Sequence, residues 1–95
     1  MGVYVDSEFI QFGRTKMCHM VADTEKELED IAIKLGLNLK WWQYKGTPKS
    51  HFDVSKSVRE KAIALGVEVI DRQQLVDLIR NKSEVLNEIQ IQAWG

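Results

Sequence analysis

The sequence predicts one compact α/β domain, with about four short strands, partly parallel, and three helices. Three observations carry that expectation. Three segments repeat their apolar residues at helical spacing behind a capping residue. Between them lie short runs rich in valine and aromatic residues, with period-two alternation. The length of 95 residues, with 44% hydrophobic and 28% charged, suits a single folded unit with one small core.

The elements follow in order. VYVD, residues 3–6, reads as a strand with Val3 and Val5 on one face and Tyr4 and Asp6 on the other. SEFIQFGRT, residues 7–15, reads as a loop anchored by Phe9 and Phe12. KMCHMVA, residues 16–22, alternates Met17, His19 and Val21 against Cys18, Met20 and Ala22, which predicts a second strand. DTEKELEDIAIKLG is the clearest helix. Thr24 and Glu27 have capping-box spacing, Leu28, Ile31, Ala32 and Leu35 form an apolar stripe, and Gly36 can end the helix. Residues 38–45, NLKWWQYK, fit either a strand or a packed loop, and GTPKS breaks the chain.

HFDV, residues 51–54, predicts a third strand. Ser55 or Ser57 would cap a helix through Leu65, with Val58, Ala62 and Leu65 as its buried stripe and Ser57 and Glu60 spaced as a capping box. VEVI is a fourth strand, and Asp71 with Gln74 caps a third helix. Strand–helix–strand–helix over 51–81 implies a right-handed parallel crossover. Residues 83–95 fit a short helix or an extended tail. Leu28, Ile31, Leu35, Val58, Leu65, Leu75 and Ile79 are expected to share one core.

Charge and cysteine content exclude several classes. A net charge of −1 gives no strong nucleic-acid signal. The single cysteine, Cys18, permits neither an internal disulfide nor a cysteine-rich zinc site, and its apolar neighbours predict burial. A cytoplasmic location fits. The first residues do not read as a signal peptide, and no apolar run approaches the ~20 residues of a membrane span. A homodimer is compatible with so small a core.

The candidate chemistry gathers on few residues. His19 and His51 are the only histidines. In a strand, His51 and Asp53 point one way, and Phe52 and Val54 the other. If the strands are neighbours, Asp6, His19, His51 and Asp53 converge. Imidazole with carboxylate suits a divalent metal such as zinc, manganese or iron. It also suits acid–base catalysis by His19, His51 and Asp53. A structural hydrogen bond is the plainer alternative. Trp42 and Gln43 would line the pocket, and Asp6, Arg14, Ser55 and Lys56 would contact a ligand. SKS opens a helix whose free N–H groups could receive a phosphate. The expected ligand is a nucleotide or another phosphate-bearing small molecule, with metal-dependent phosphoester hydrolysis as the natural reaction. The alternative is a non-enzymatic accessory protein that binds a host protein through Trp41, Trp42 and Trp94.

The segments VYVD, CHMVADTEKEL, WWQ, HFDVS and KAIALG together resemble a small family of bacteria and their phages, the domain of unknown function 4031. The resemblance spans roughly residues 3–72. By position it implicates Asp6, His19, Asp23, Trp41, Gln43, His51, Asp53 and Ser55. Trp42 stands where that family usually has Phe, and Phe52 where it usually has Tyr. The resemblance implies that His19 and the His-x-Asp stretch belong together; it brings no activity.

Overall fold

In the computed structural model, residues 2–94 are described, with Phe12 and residues 84–94 described by their backbone alone. The chain forms a five-stranded mixed sheet with helices on both faces. The strands are β1 (Val3–Asp6), β2 (Ile10–Phe12), β3 (Thr15–Ala22), β4 (Phe52–Ser55) and β5 (Glu68–Ile70). The helices are α1 (Glu25–Lys34), α2 (Lys56–Ala64) and α3 (Arg72–Trp94). One 3-10 turn covers Leu39–Trp41, where the sequence allowed a strand or a loop.

β3 is the spine. Val5 pairs with Met20 and Ile10 with Met17, while Phe52 and Ser55 pair with those same two residues from the other side. β1 and β2 therefore lie along one edge of β3, and β4 along the other. β5 adds to β1 in parallel, through Val5 and Val69. β4 and β5 run in the same direction with β3 and β1 between them. The register sums to 25 across β1–β3 and to 27 across β2–β3 (3 + 22 and 10 + 17). Two extra residues are thus accommodated between Asp6 and Ile10, an irregular bulge beside the end of β1. This corrects the reading of 7–15 as loop: Ile10–Phe12 resumes the ladder.

Strand alternation splits the apolar residues between two clusters. Val3, Val5, Cys18, Met20, Ala22, Phe52 and Val54 face α1 and α2, packing on Leu28, Ile31, Ala32 and Ala62. Val21 and Ile70, with Tyr4 beside them, face α3 and meet Leu75, Leu78 and Ile79. The expected single core is therefore two. Leu28 and Ile31 lie in the first, with Leu35 and Val58 packed against it; Leu75 and Ile79 belong to the second. Leu65 belongs to neither, being 45% exposed, while Ala62 and Val58 of the same expected stripe pack into the first cluster.

The helix caps differ in completeness. Asp71 and Gln74 form a reciprocal box: the Asp71 N–H donates to Gln74 Oε1 at 2.9 Å and the Gln74 N–H to Asp71 Oδ1 at 2.8 Å. Thr24 caps α1, but Glu27 returns to the Thr24 hydroxyl and to the Gly2 N–H, not to the Thr24 N–H. Ser55 caps α2 by accepting from the Val58 N–H. Ser57 then lies inside the helix, so the expected Ser57–Glu60 box does not form. Asp23, just before the Thr24 cap, accepts from the Tyr4 hydroxyl at 3.0 Å.

Candidate functional site

Tyr4, Asp6, Met17, His19, Val21, Asp53 and Ser55 share the α3 face of the sheet by register. α3 covers the part over Tyr4 and Val21. His19 lies further along, in the middle of β3, opposite Asp53 of β4. The expected alternation holds in β4: Phe52 and Val54 are buried on the other face, and Asp53 is partly open.

The two histidines meet. Their rings are 4.9 Å apart, edge to face. His19 Nε2 lies 3.6 Å from Asp53 Oδ1, and His51 Nε2 lies 3.5 Å from the same oxygen. The other oxygen, Asp53 Oδ2, accepts from Gln43 Nε2 at 2.6 Å, which fixes the carboxylate plane. His51 is fixed from behind. Its Nδ1 is 2.6 Å from the Lys49 carbonyl. A carbonyl only accepts, so Nδ1 carries the proton and Nε2 turns a lone pair toward Asp53 in the neutral ring. The backbone of His51 pairs with Gln43 in a two-bond bridge. Tyr44, next in the chain, has a left-handed backbone (φ 54°), and its exposed ring stacks on His51 at 5.9 Å.

Asp6 stands behind His19. Its side chain is fully buried, and Oδ2 is 3.8 Å from His19 Nδ1. Oδ1 accepts from the Glu8 N–H at 2.9 Å, closing the bulge. Arg72, the first residue of α3, reaches Asp6 Oδ2 at 3.5 Å and Glu8 at 3.0 Å. The buried Asp6 Oδ2 and His19 Nδ1 have no hydrogen-bond partner among the described residues.

The three ligand atoms of His19, His51 and Asp53 lie within 4.8 Å of one another. Two ligands on a tetrahedral ion with bonds of ~2.1 Å sit about 3.4 Å apart, close to the spacing around Asp53 Oδ1. Two imidazole nitrogens and a carboxylate oxygen also match the donor set of catalytic zinc sites, which keep one position open.

The remaining expected residues divide. Gln43 joins the cluster. Asp6 lies on the far side of His19, facing the other ring nitrogen. Trp42 turns toward the core: it packs 5.4 Å from Phe52, donates to the Ser50 hydroxyl at 2.7 Å, and carries Lys45 over its ring. Trp41, 60% exposed, takes the surface position. It lines a groove of about 680 Å³ with Leu37, Lys40, Gln43, Asp53 and Ser55. Ser55 and Lys56 stand at the start of α2, one strand step beyond Asp53. Arg14 lies in the β2–β3 turn, five residues from His19, about 16 Å along an extended strand. Trp94 lies outside the described side chains.

Sequence reading missed Arg72, Tyr44 and the Lys49 carbonyl. Arg72 directly follows a helix cap, where a basic residue has no capping role, and that is the only signal it offered. Cys18 is buried, and burial pushes its thiol up to about 11, so it is no nucleophile at neutral pH. No helix among the described residues is long and apolar enough to cross a membrane.

A mixed α/β sheet carrying a His–His–Asp cluster on its open face defines the class. The chain belongs to the family described as protein of unknown function DUF4031, whose model matches residues 3–82. No curated protein and no solved structure matches the chain.

Proposed function

We propose that the protein is a small cytoplasmic hydrolase that binds a divalent metal through His19, His51 and Asp53 and cleaves phosphoesters of nucleotide-type ligands. One observation supports this above the others. The lone-pair side of His51 and the carboxylate of Asp53 face each other at 3.5 Å, with His19 Nε2 at 3.6 Å. Such a convergence of electron-rich atoms calls for a cation between them. Zinc, manganese or iron held there would lower the pKa of a bound water and polarise a phosphoryl oxygen. Gln43 holds Asp53 in its ligating orientation. Lys56 and the first N–H groups of α2 favour the phosphate, through their charge and the helix dipole. Trp41, lining the adjoining groove, offers its open face to a base in the role expected of Trp42.

The test is turnover of a panel of nucleoside phosphates and bis(p-nitrophenyl) phosphate by metal-stripped protein reloaded with Zn²⁺ or Mn²⁺. Activity restored by metal, and absent from His51→Ala, is the expected outcome. No turnover in any metal-loaded sample would contradict the hydrolase reading.

A second reading has one observation in its favour: Trp41, which lines the groove, and Tyr44, stacked on His51, are both exposed. An aromatic surface of this kind suits a protein partner or a second copy of the chain. Sedimentation velocity on the parent and on Trp41→Ala separates the self-association case, because only that case makes the parent heavier than a monomer.

A further inference from the structure

We infer that Asp6 is a positioning residue that fixes the tautomer of His19, so that His19 presents its Nε2 lone pair to the cluster with His51 and Asp53. The inference rests on the metal reading and adds a residue that does not itself touch the ion. Its basis is a pair of buried atoms with unmet hydrogen-bonding capacity that face each other. Asp6 Oδ2 and His19 Nδ1 are 3.8 Å apart, and among the described residues neither has a hydrogen-bond partner, Asp6 Oδ2 having only Arg72 at ion-pair distance. An unmet buried polar atom is costly, and two facing ones cancel that cost by a small rotation of the imidazole. Oxygen can only accept here, so the proton must sit on Nδ1. The remaining lone pair is then on Nε2, the nitrogen 3.6 Å from Asp53.

The carboxylate is built to stay where it is. Oδ1 is held by the Glu8 N–H at 2.9 Å. Arg72 stands 3.5 Å from Oδ2 and is itself tied to Glu8 at 3.0 Å. The Asp6 carbonyl accepts from Arg59 Nε of α2 at 3.3 Å. The bulge after β1, the start of α3 and the side of α2 thus all converge on one buried acid. Such an outer carboxylate orients a histidine ligand and raises its basicity, and its loss typically weakens metal binding 10–100-fold.

The anchoring also predicts what an isosteric change does. In Asp6→Asn the amide oxygen stays on the Glu8 N–H, so the NH₂ faces His19. An amide NH₂ donates, Nδ1 becomes the acceptor, and the ring proton moves to Nε2, where it blocks ligation. The experiment is a ¹⁵N-detected two-bond correlation spectrum of the histidines in metal-free protein at pH 8, followed by Zn²⁺ titration calorimetry. The parent should show His19 as the Nδ1–H tautomer. Asp6→Asn should show Nε2–H and bind Zn²⁺ about 10–100-fold more weakly, with the His51 signals unchanged. A merely structural Asp6 would not move the tautomer. If the parent shows His19 as Nε2–H, the inference is overturned, and this needs no variant. It is equally overturned if Asp6→Asn keeps both the tautomer and the affinity while the parent binds Zn²⁺. If the parent binds no metal yet its tautomer switches as described, the metal reading fails and the orienting role of Asp6 stands.

Discussion

At the scale of single residues, the stretch from His51 to Ser55 separates stability from chemistry. Phe52 and Val54 are fully buried in the core under α1 and α2, while His51 and Asp53 lie on the opposite face. Phe52→Ala should cost about 3–5 kcal/mol in denaturant unfolding, because it leaves a cavity and removes the partner of Trp42. His51→Ala should cost under about 1 kcal/mol, and Asp53→Asn, which separates two facing lone pairs from a charge, should cost no more. A large loss for both polar variants would make them structural. Cys18 gives a pH signature. Its folded pKa, raised mainly by burial to about 11, exceeds the thiol's ordinary value. The unfolded chain therefore loses this proton first as pH rises. The contribution of the neutral thiol is fully present below about pH 9 and fades as pH climbs toward 11. Unfolding titrations should show stability falling on the order of 2 kcal/mol over that window, an effect that Cys18→Ala removes.

At the scale of elements, α1 was legible in its bounds and its buried face because its N-cap, stripe and terminating glycine agree, although Glu27 leaves the Thr24 N–H out of the capping box. α2 was legible in place and, at Val58 and Ala62, in face; only Leu65 departs from the expected stripe. Leu65 completed an apolar spacing on paper, yet the backbone ends the helix at Ala64, and Leu65 turns outward while Ala62 packs. Ile31→Ala should cost about 2–5 kcal/mol and Leu65→Ala under about 0.5 kcal/mol by urea unfolding. β2 was hidden because IQF is short and sits between turn-forming residues. Its pairing comes from resuming a hairpin register after the bulge, which no local pattern encodes. The site's polar arms were legible through parity and through the family resemblance that joins His19 to the His-x-Asp stretch. Asp6, His19 and Asp53 fall on one face once β1, β3 and β4 pair in the observed register. Which ring nitrogen faces which carboxylate was not, since it depends on the strand order and on the Lys49 carbonyl behind His51.

At the scale of the whole molecule, the sheet separates two apolar clusters and leaves part of one face free for the cluster of histidines. The single core expected from helical spacing failed for this reason. A stripe shows that a helix buries one side, but not which face of the sheet it covers. Ile31 and Leu75 lie on opposite faces. The double variant Ile31→Ala/Leu75→Ala should therefore lose stability additively within about 0.5 kcal/mol, as separate sites do. A strong coupling would mean one shared core. Arg72 makes α3 part of the site as well as of the second core, since it bridges Asp6 and Glu8 from the helix's first turn.

The central claim is that His19, His51 and Asp53 form one cation-binding centre, and titration calorimetry of Zn²⁺ into metal-free protein tests it most directly. A single site per chain should appear in the parent and be lost in both His19→Ala and His51→Ala, with each variant still folded by circular dichroism. Absence of binding in the parent, or equal binding in parent and variants, would contradict it.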